Sequence, residues 1–275
     1  MGLRIQTNIA SVNAQRNLRQ NGTGLATAME RLSSGYRINK SMDDVAGLAI
    51  SDQMRGQIRG LGQAQRNAQD GISFVQVAEG GLSESGNLLV RLRELATQAA
   101  SDTIGDKERG FVNVEVQQLK QELERISLTT EYTGTKLLDG SAKTLDFQVG
   151  IGAGVNNRIT FDAGQANATI SSLGVSGIAV DSKSAARDTI DQVDAAISKV
   201  ASMRANFGAV QSRLNSTINN NEVYRENLAA SNSRIKDADI AAESSELAKS
   251  NILQNAGVAT LAQANQSTAL ALKLL

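Results

Sequence analysis

The carboxylates are the residues of this chain with the plainest capacity for chemistry, and they gather at Asp43-Asp44 and at Asp237-x-Asp239 with Glu243. A calcium loop would need further oxygen ligands and a central glycine turn, and neither follows Asp239. Helix starts explain these positions better, because a carboxylate there meets free backbone N–H groups and the positive end of the helix dipole. With 0 His and 0 Cys, the usual zinc, haem and iron–sulfur ligand sets cannot be assembled, and there is neither an imidazole base nor a thiol nucleophile. Serine hydroxyls have no histidine to activate them, and no Ser-x-x-Lys stands in a hydrolase context. Gly150, Gly152 and Gly154 hint at a phosphate cradle, but their spacing is not a dinucleotide fingerprint and no helix follows directly, so turn chemistry is the reading. No metal and no cofactor is expected, and an enzyme is the weakest reading.

The balance of charge agrees. Lys and Arg total 28 and Asp and Glu total 28, so no overall field favours nucleic acid or an anionic membrane. Arg55, Arg59, Arg66, Arg91 and Arg93 lie among Gln, Asp and Glu with little aromatic interleaving, as on a solvated or intersubunit face. The first sixteen residues are broken by Gln6, Asn8, Asn13 and Gln15, unlike a cleaved secretory signal. Ser250 to Ala271 is uncharged, but its Asn, Gln and Ala content argues against a membrane span.

What remains is a scaffold of helices. The chain has 0 Pro, where roughly 5% is usual, so nothing must kink a long helix. Stepping by seven from Met54 gives Leu61, Ala68, Val75, Leu82, Leu89 and Ala96, all apolar, which keeps one seam facing a partner helix. Gly71, Gly80-Gly81 and Gly86 weaken that helix without breaking it. After a loop at Ile104-Gly105-Asp106, the residues Val112, Val116, Leu119, Leu123 and Ile126 predict a second helix antiparallel to the first, ending near Ser127 to Thr130. Leu145 to Val149 and Arg158 to Phe161 alternate with period two around the glycine-rich stretch, predicting a β-hairpin. The seven-residue repeat returns from Ala185 as Val193, Val200, Phe207, Leu214, Asn221, Leu228 and Ile235. Asn221 either fixes the register of the seam or marks a hinge within Asn219-Asn220-Asn221, and the sequence leaves both open.

Both ends are amphipathic: Leu3 to Leu32 at one, Ile240 to Leu275 at the other, with Asp237 or Asp239 placed to start the latter. Such ends suggest surface meant for each other or for another molecule. The expected fold is mainly α, an elongated rod of long coiled-coil-like helices with a small mid-chain β-hairpin element. Its segments are an inner terminal helix at 1–42, rod helices at 43–139, the β-element at 140–181, a returning rod helix at 182–236 and a second inner helix at 237–275.

Seven stretches of the chain, three near its start and four near its end, carry a resemblance. Met1 to Ser11, Arg31-Leu32-Ser33-Ser34-Gly35-Tyr36-Arg37-Ile38-Asn39 and Asp43-Asp44-Val45-Ala46-Gly47-Leu48-Ala49-Ile50 resemble the opening of bacterial flagellins. Glu226-Asn227-Leu228, Ser233-Arg234-Ile235, Asp237-x-Asp239 and Ala256 to Asn265 resemble their close. The resemblance implies a non-enzymatic subunit that polymerises into the extracellular flagellar filament, exported by the flagellar type III route without a cleaved signal peptide. It implies partners in further copies of the chain, the export machinery, an export chaperone at the C-terminal helix, and the filament cap and hook-junction proteins, with no nucleic acid and no membrane span. The polymerisation core implied is Ile5, Ile9, Val12, Leu25, Leu32, Ile240, Leu247, Ile252, Leu261 and Leu275. The large outer domains of many flagellins are replaced by 140–181 alone. Arg91-Leu92-Arg93-Glu94-Leu95-Ala96 and Glu122 resemble flagellins detected by Toll-like receptor 5, with Arg91, Leu95 and Glu122 as the implied contacts and Val90 departing from the usual glutamine. Rival expectations are a flagellin-like hook–filament junction protein and, from another class, an intracellular coiled-coil scaffold. In a free monomer the terminal helices are expected to be largely disordered.

Overall fold

A computed structural model describes residues 7–141 and 144–273. Its elements are α1 (Ile9–Ser34), α2 (Val45–Ala99), α3 (Asp106–Thr129), β1 (Glu131–Tyr132), β2 (Thr135–Lys136), β3 (Thr144–Gln148), β4 (Arg158–Asp162), α4 (Ile170–Leu173), α5 (Lys183–Lys236) and α6 (Ile240–Lys273). The chain divides into two compact units, one made of Met1–Ile58 with Glu226–Leu275 and the other of Arg59–Arg225. The mainly helical fold with a small β-hairpin is as the sequence predicts. No described helix is long and apolar enough to cross a membrane.

In the unit Arg59–Arg225, the seven-residue repeats become the core. Leu61, Ala68, Val75, Leu82, Leu89 and Ala96 of α2 are all buried, as are Val116 and Leu123 of α3 and Val193, Val200, Phe207 and Leu214 of α5. With 55 residues, α2 is about 80 Å long at 1.5 Å per residue. The glycines that seemed to weaken it are points of close approach. A methyl group at Gly71 would lie 3.1 Å from the Phe147 ring and 3.3 Å from Leu214, and one at Gly81 would lie 2.7 Å from Thr130 Oγ1 and 2.8 Å from Leu138. The helix gives up some propensity there so that the β-element can lie against its backbone.

The hairpin β3–β4 is antiparallel, pairing Leu145 with Phe161 and Phe147 with Ile159. Its inward side chains join an aromatic cluster in which Phe74 meets Tyr132, Phe147 and Phe161 edge-on at 5.9, 5.9 and 6.5 Å, and Phe161 lies 4.8 Å from Phe207. A second, two-residue hairpin, β1–β2, turns at Thr133-Gly134, both with positive φ, and the sequence reading did not anticipate it.

Asn221 answers the question left open. α5 runs unbroken through it for 54 residues, so there is no hinge. Its Nδ2 donates to Val149 O at 2.8 Å within the core. The amide therefore pins the end of β3 to α5, and Asn67 Nδ2 pins the preceding Gln148 O to α2 at 3.0 Å.

Arg109, also missed, is buried and closes the α2–α3 connection: Nε donates to Ala99 O at 2.8 Å, and the terminal nitrogens donate to Ser101 O at 3.0 Å and Asp106 Oδ1 at 2.7 Å. It satisfies the last carbonyl of α2, Ala99 O, which the helix itself leaves unpaired, and that of Ser101 just beyond it.

In the unit built from both ends, α1 packs antiparallel on α6. Asn8 Nδ2 donates to Ala264 O at 2.9 Å, Leu18 lies against Gly257, Arg31 pairs with Glu243 at 3.0 Å, and Tyr36 bridges to Asp237. Each step forward on α1 is matched by a step back on α6. The centre of the seam is small, with Ser11, Ala28 and Ser250 buried.

Candidate assembly and receptor-contact surfaces

The carboxylates singled out above act as caps and tethers. Asp44 Oδ1 accepts from Gly47 N at 2.8 Å at the start of α2, and Asp239 Oδ1 accepts from Ala241 N at 2.9 Å at the start of α6. Asp43 Oδ2 accepts from Asn39 N and Lys40 N, and these two donors hold its carboxyl below the usual range. Glu243 is committed to Arg31 across the α1–α6 seam. The glycine-rich loop is likewise closed on itself: Gln148 Nε2 donates to Gly150 O and Gly152 O, both at 2.8 Å.

The implied polymerisation core divides into two kinds of position. Leu25, Leu32, Leu247 and Leu261 are half-buried along α1 and α6. Ile9 (58% exposed), Val12 (56%), Ile240 (53%) and Ile252 (68%) remain in solvent, and Met29, Leu253 and Val258 join them. Ile5 and Leu275 lie outside the described residues. Pairing α1 with α6 thus covers one stripe of each helix and leaves other apolar side chains of both helices exposed.

The implied receptor residues also divide. Arg91 is exposed on α2 and bonded to Glu94 at 3.0 Å and to Glu115 of α3 at 2.9 Å, carboxylates that raise its already high pKa. Glu122 on α3 is paired with Arg125 at 2.6 Å, which lowers its carboxyl. Leu95 is 2% exposed. The expectation that Leu95 is itself a contact needs correcting for this protomer: its side chain is spent on the core, since it falls one position before Ala96 of the buried seam, and it can only support the surface carrying Arg91. A surface signal not anticipated is Phe111, 77% exposed on α3 beside Val114 at 62%, whereas four other phenylalanines of the 5 in the chain lie in the aromatic cluster.

Long helices with sealed seams in one unit, and an apolar helix pair with open faces in the other, define a helical structural protein. Residues 5–143 match the family model of the bacterial flagellin N-terminal helical region, and residues 190–275 match that of the flagellin C-terminal helical region. The chain is 43% identical over 271 residues to a flagellin of Halalkalibacterium halodurans, covering 98% of this chain and 99% of the relative. It is 42% identical over 303 residues to a flagellin of Bacillus subtilis, covering 99% and 100%, and 40% identical over 285 residues to the flagellar filament 33 kDa core protein of Treponema phagedenis, covering 98% and 99%. Among solved structures, the crystal structure of Bacillus cereus flagellin aligns with a TM-score of 0.51 at 30% identity, covering 57% of this chain and 88% of that one. A putative flagellar hook-associated protein from Vibrio parahaemolyticus shares the fold, with a TM-score of 0.55 at 12% identity over 71% of this chain and 98% of that one. The chain belongs to the flagellin family. It is a short form without large outer domains, and its family is one of structural filament proteins rather than enzymes.

Proposed function

We propose that this chain is the repeating subunit of an extracellular flagellar filament, and that the open apolar faces of α1 and α6 are closed by other copies of itself. The exposure of Ile9, Val12, Ile240 and Ile252 on helices already paired with each other is the observation that supports this reading. An apolar face on a helix already partnered on its other side asks for a second partner. Identical chains associating head to tail without closing a ring generate a helical polymer, which is the geometry a filament needs. In this reading 1–42 and 237–275 form the inner layer, and 43–139 with 182–236 the layer around it. Export follows the flagellar type III route with no cleaved signal peptide, an export chaperone holds the C-terminal helix before assembly, and cap and hook-junction proteins meet the filament at its ends. Toll-like receptor 5 would read the Arg91–Glu122 face, with Leu95 beneath it.

Polymerisation of the purified chain, followed by electron microscopy, tests the reading. Full-length protein is expected to form long filaments, and protein lacking Ile240–Leu275 is expected to stay dispersed. Filaments from the truncated chain would refute the role given to α6. A full-length chain that never elongates alone would favour the hook–filament junction reading instead. For the receptor, a reporter assay with Arg91→Ala and Glu122→Ala is expected to lose signal, and an unchanged response would remove that assignment.

A further inference from the structure

The middle of α1 is built from residues that suit a helix badly. Asn21-Gly22-Thr23-Gly24 puts four poor helix formers in a row within a helix of 26 residues. Gly24 faces the α1–α6 seam, where a methyl group would lie 3.9 Å from Ser250 Oγ, but a methyl group at Gly22 would meet nothing within 4 Å. Close packing therefore gives no reason for Gly22. Thr23 Oγ1 donates back to Gln20 O at 2.7 Å, sharing the carbonyl that the Gly24 N–H takes in a regular helix. The Asn21 side chain is half-buried and makes no hydrogen bond among the described residues.

No other asparagine of the chain is followed by glycine, and this pair has a chemistry of its own. The Gly22 amide nitrogen, losing its proton to water or hydroxide, attacks Asn21 Cγ. The new N–Cγ bond closes a succinimide ring, and the Cγ–Nδ2 bond breaks to release ammonia. Water then adds to one ring carbonyl or the other and reopens the ring, leaving aspartate or isoaspartate. The sum is asparagine and water giving a carboxylic acid and ammonia, with no oxidant, reductant or cofactor. Glycine favours the attack because no Cβ crowds its nitrogen. Helical backbone, with ψ of about −42°, holds that nitrogen away from Cγ, so ring closure has to wait until the helix opens at this point. The two Asp-Gly pairs are better closed. Gly71, after Asp70, lies under Phe147 and Leu214, and Asp139 Oδ1, before Gly140, accepts from Ser141 N at 2.8 Å and Ser141 Oγ at 2.7 Å.

We infer that Asn21–Gly22 is a site of spontaneous deamidation, gated by local opening of α1, and that its isoaspartate product uncouples α1 from α6. The consequence follows from the position of the pair. Residue 21 lies between two ties of the helix pair, Asn8 to Ala264 and Arg31 to Glu243. Isoaspartate routes the main chain through an additional methylene and sets a negative charge beside it. The regular hydrogen-bond ladder cannot run through a lengthened backbone, so the two ties no longer keep the same spacing on α1 as on α6.

The test ages the full-length chain in warm, mildly alkaline buffer, both as folded monomer and unfolded in guanidinium chloride, and follows Asn21 by peptide mass spectrometry and enzymatic isoaspartate labelling. Conversion at Asn21 is expected to outrun that at every other asparagine and at Asp139. In the folded chain it is expected to be slower than in the unfolded one by the factor that hydrogen exchange reports for opening of the Asn21–Gly24 amides. Gly22→Ala, whose methyl group enters open space, is expected to slow it in both states, and in the folded chain by a further factor of roughly five through helix propensity. An Asn21 that converts no faster than other asparagines would overturn the site, and folded-state conversion faster than the measured opening would overturn the gate. Aged chain rich in isoaspartate is expected to lose hydrogen-exchange protection along α1 and α6, while Asn21→Gln aged alike keeps it. Equal exchange in aged and fresh chain would overturn the uncoupling.

Discussion

Along α2 the residues at every seventh position from Leu61 to Ala96 lose almost all contact with water, whereas along α1 the buried residues are Ser11 and Ala28, and Ile9 and Val12 stay exposed. Both segments are amphipathic helices. They differ in how many neighbours the same chain supplies. α2 is met by α3, α5 and the β-element, and its seam closes within the protomer. Among the described residues α1 packs on α6, and one helix can cover only one stripe of another. The apolar pattern of a helix therefore tells that a partner exists, while the number of stripes left over tells whether that partner is already in the chain.

Breaking the comparison at its widest point means measuring local stability in the free monomer. Amides of α2 and α5 within Arg59–Arg225 are expected to exchange only by global opening, and those of α1 and α6 by local opening with free energies near the low end of the range. Slow exchange throughout Ile9–Ser34 would show that the end pair is as stable as the core. The next largest contrast is between two truncations of similar size. Leu89→Ala, at a site with no exposure, is expected to cost about 2–5 kcal/mol in denaturant unfolding, while Ile252→Ala, at 68% exposure, is expected to leave monomer unfolding within about 0.5 kcal/mol and to raise the concentration needed for polymerisation. A third pair sits within α2. Gly81→Ala drives a methyl group into Thr130 and Leu138 and is expected to destabilise by about 1–3 kcal/mol, whereas Gly80→Ala meets nothing within 4 Å and is expected to stabilise by up to about 1 kcal/mol.

The smallest effect expected is with pH. Lys183 holds the Asp102 carboxyl below its ordinary value, as Arg125 does for Glu122. A carboxyl lowered on folding binds fewer protons in the native state, so its stabilisation is present above the ordinary carboxylate range and fades as pH falls through the lowered value. Both groups are open to solvent, so Asp102→Asn should flatten the acid limb of a stability curve only slightly. A large change would mean that the Asp102–Lys183 ion pair holds more than the buried seams do.

The repeats were legible because a seven-residue apolar period has one structural solution, a sealed helix seam. Leu61 to Ala96 and Val193 to Leu214 follow it without exception. The glycines of α2 were read as weaknesses because propensity is local, while their reason, the approach of Phe147 and Leu138, lies some sixty to seventy-five residues away. Asn221 was ambiguous for the same reason: the sequence offered a seam register or a hinge, and its partner is the carbonyl of Val149 just past β3, distant in the chain. Arg109 gave no pattern at all, since one arginine after a loop looks like any solvated charge until the helix end it closes is known. The Thr133-Gly134 turn was readable in principle, but two-residue strands are too short for an alternation to register. Of the three contacts implied by the resemblance, Arg91 and Glu122 are exposed and Leu95 is buried, because lying within a surface motif says nothing about which side of the helix a residue takes.

The one-to-one ladder from Asn8–Ala264 through Arg31–Glu243 to Tyr36–Asp237 ties the lengths of two segments that are far apart in the chain. A residue gained or lost in α1 would rotate everything beyond it by about 100° and slide it by 1.5 Å relative to α6. Such a change could be absorbed only by a matching change in α6. Insertions therefore have to enter outside this helix pair, in segments whose length no opposite helix fixes.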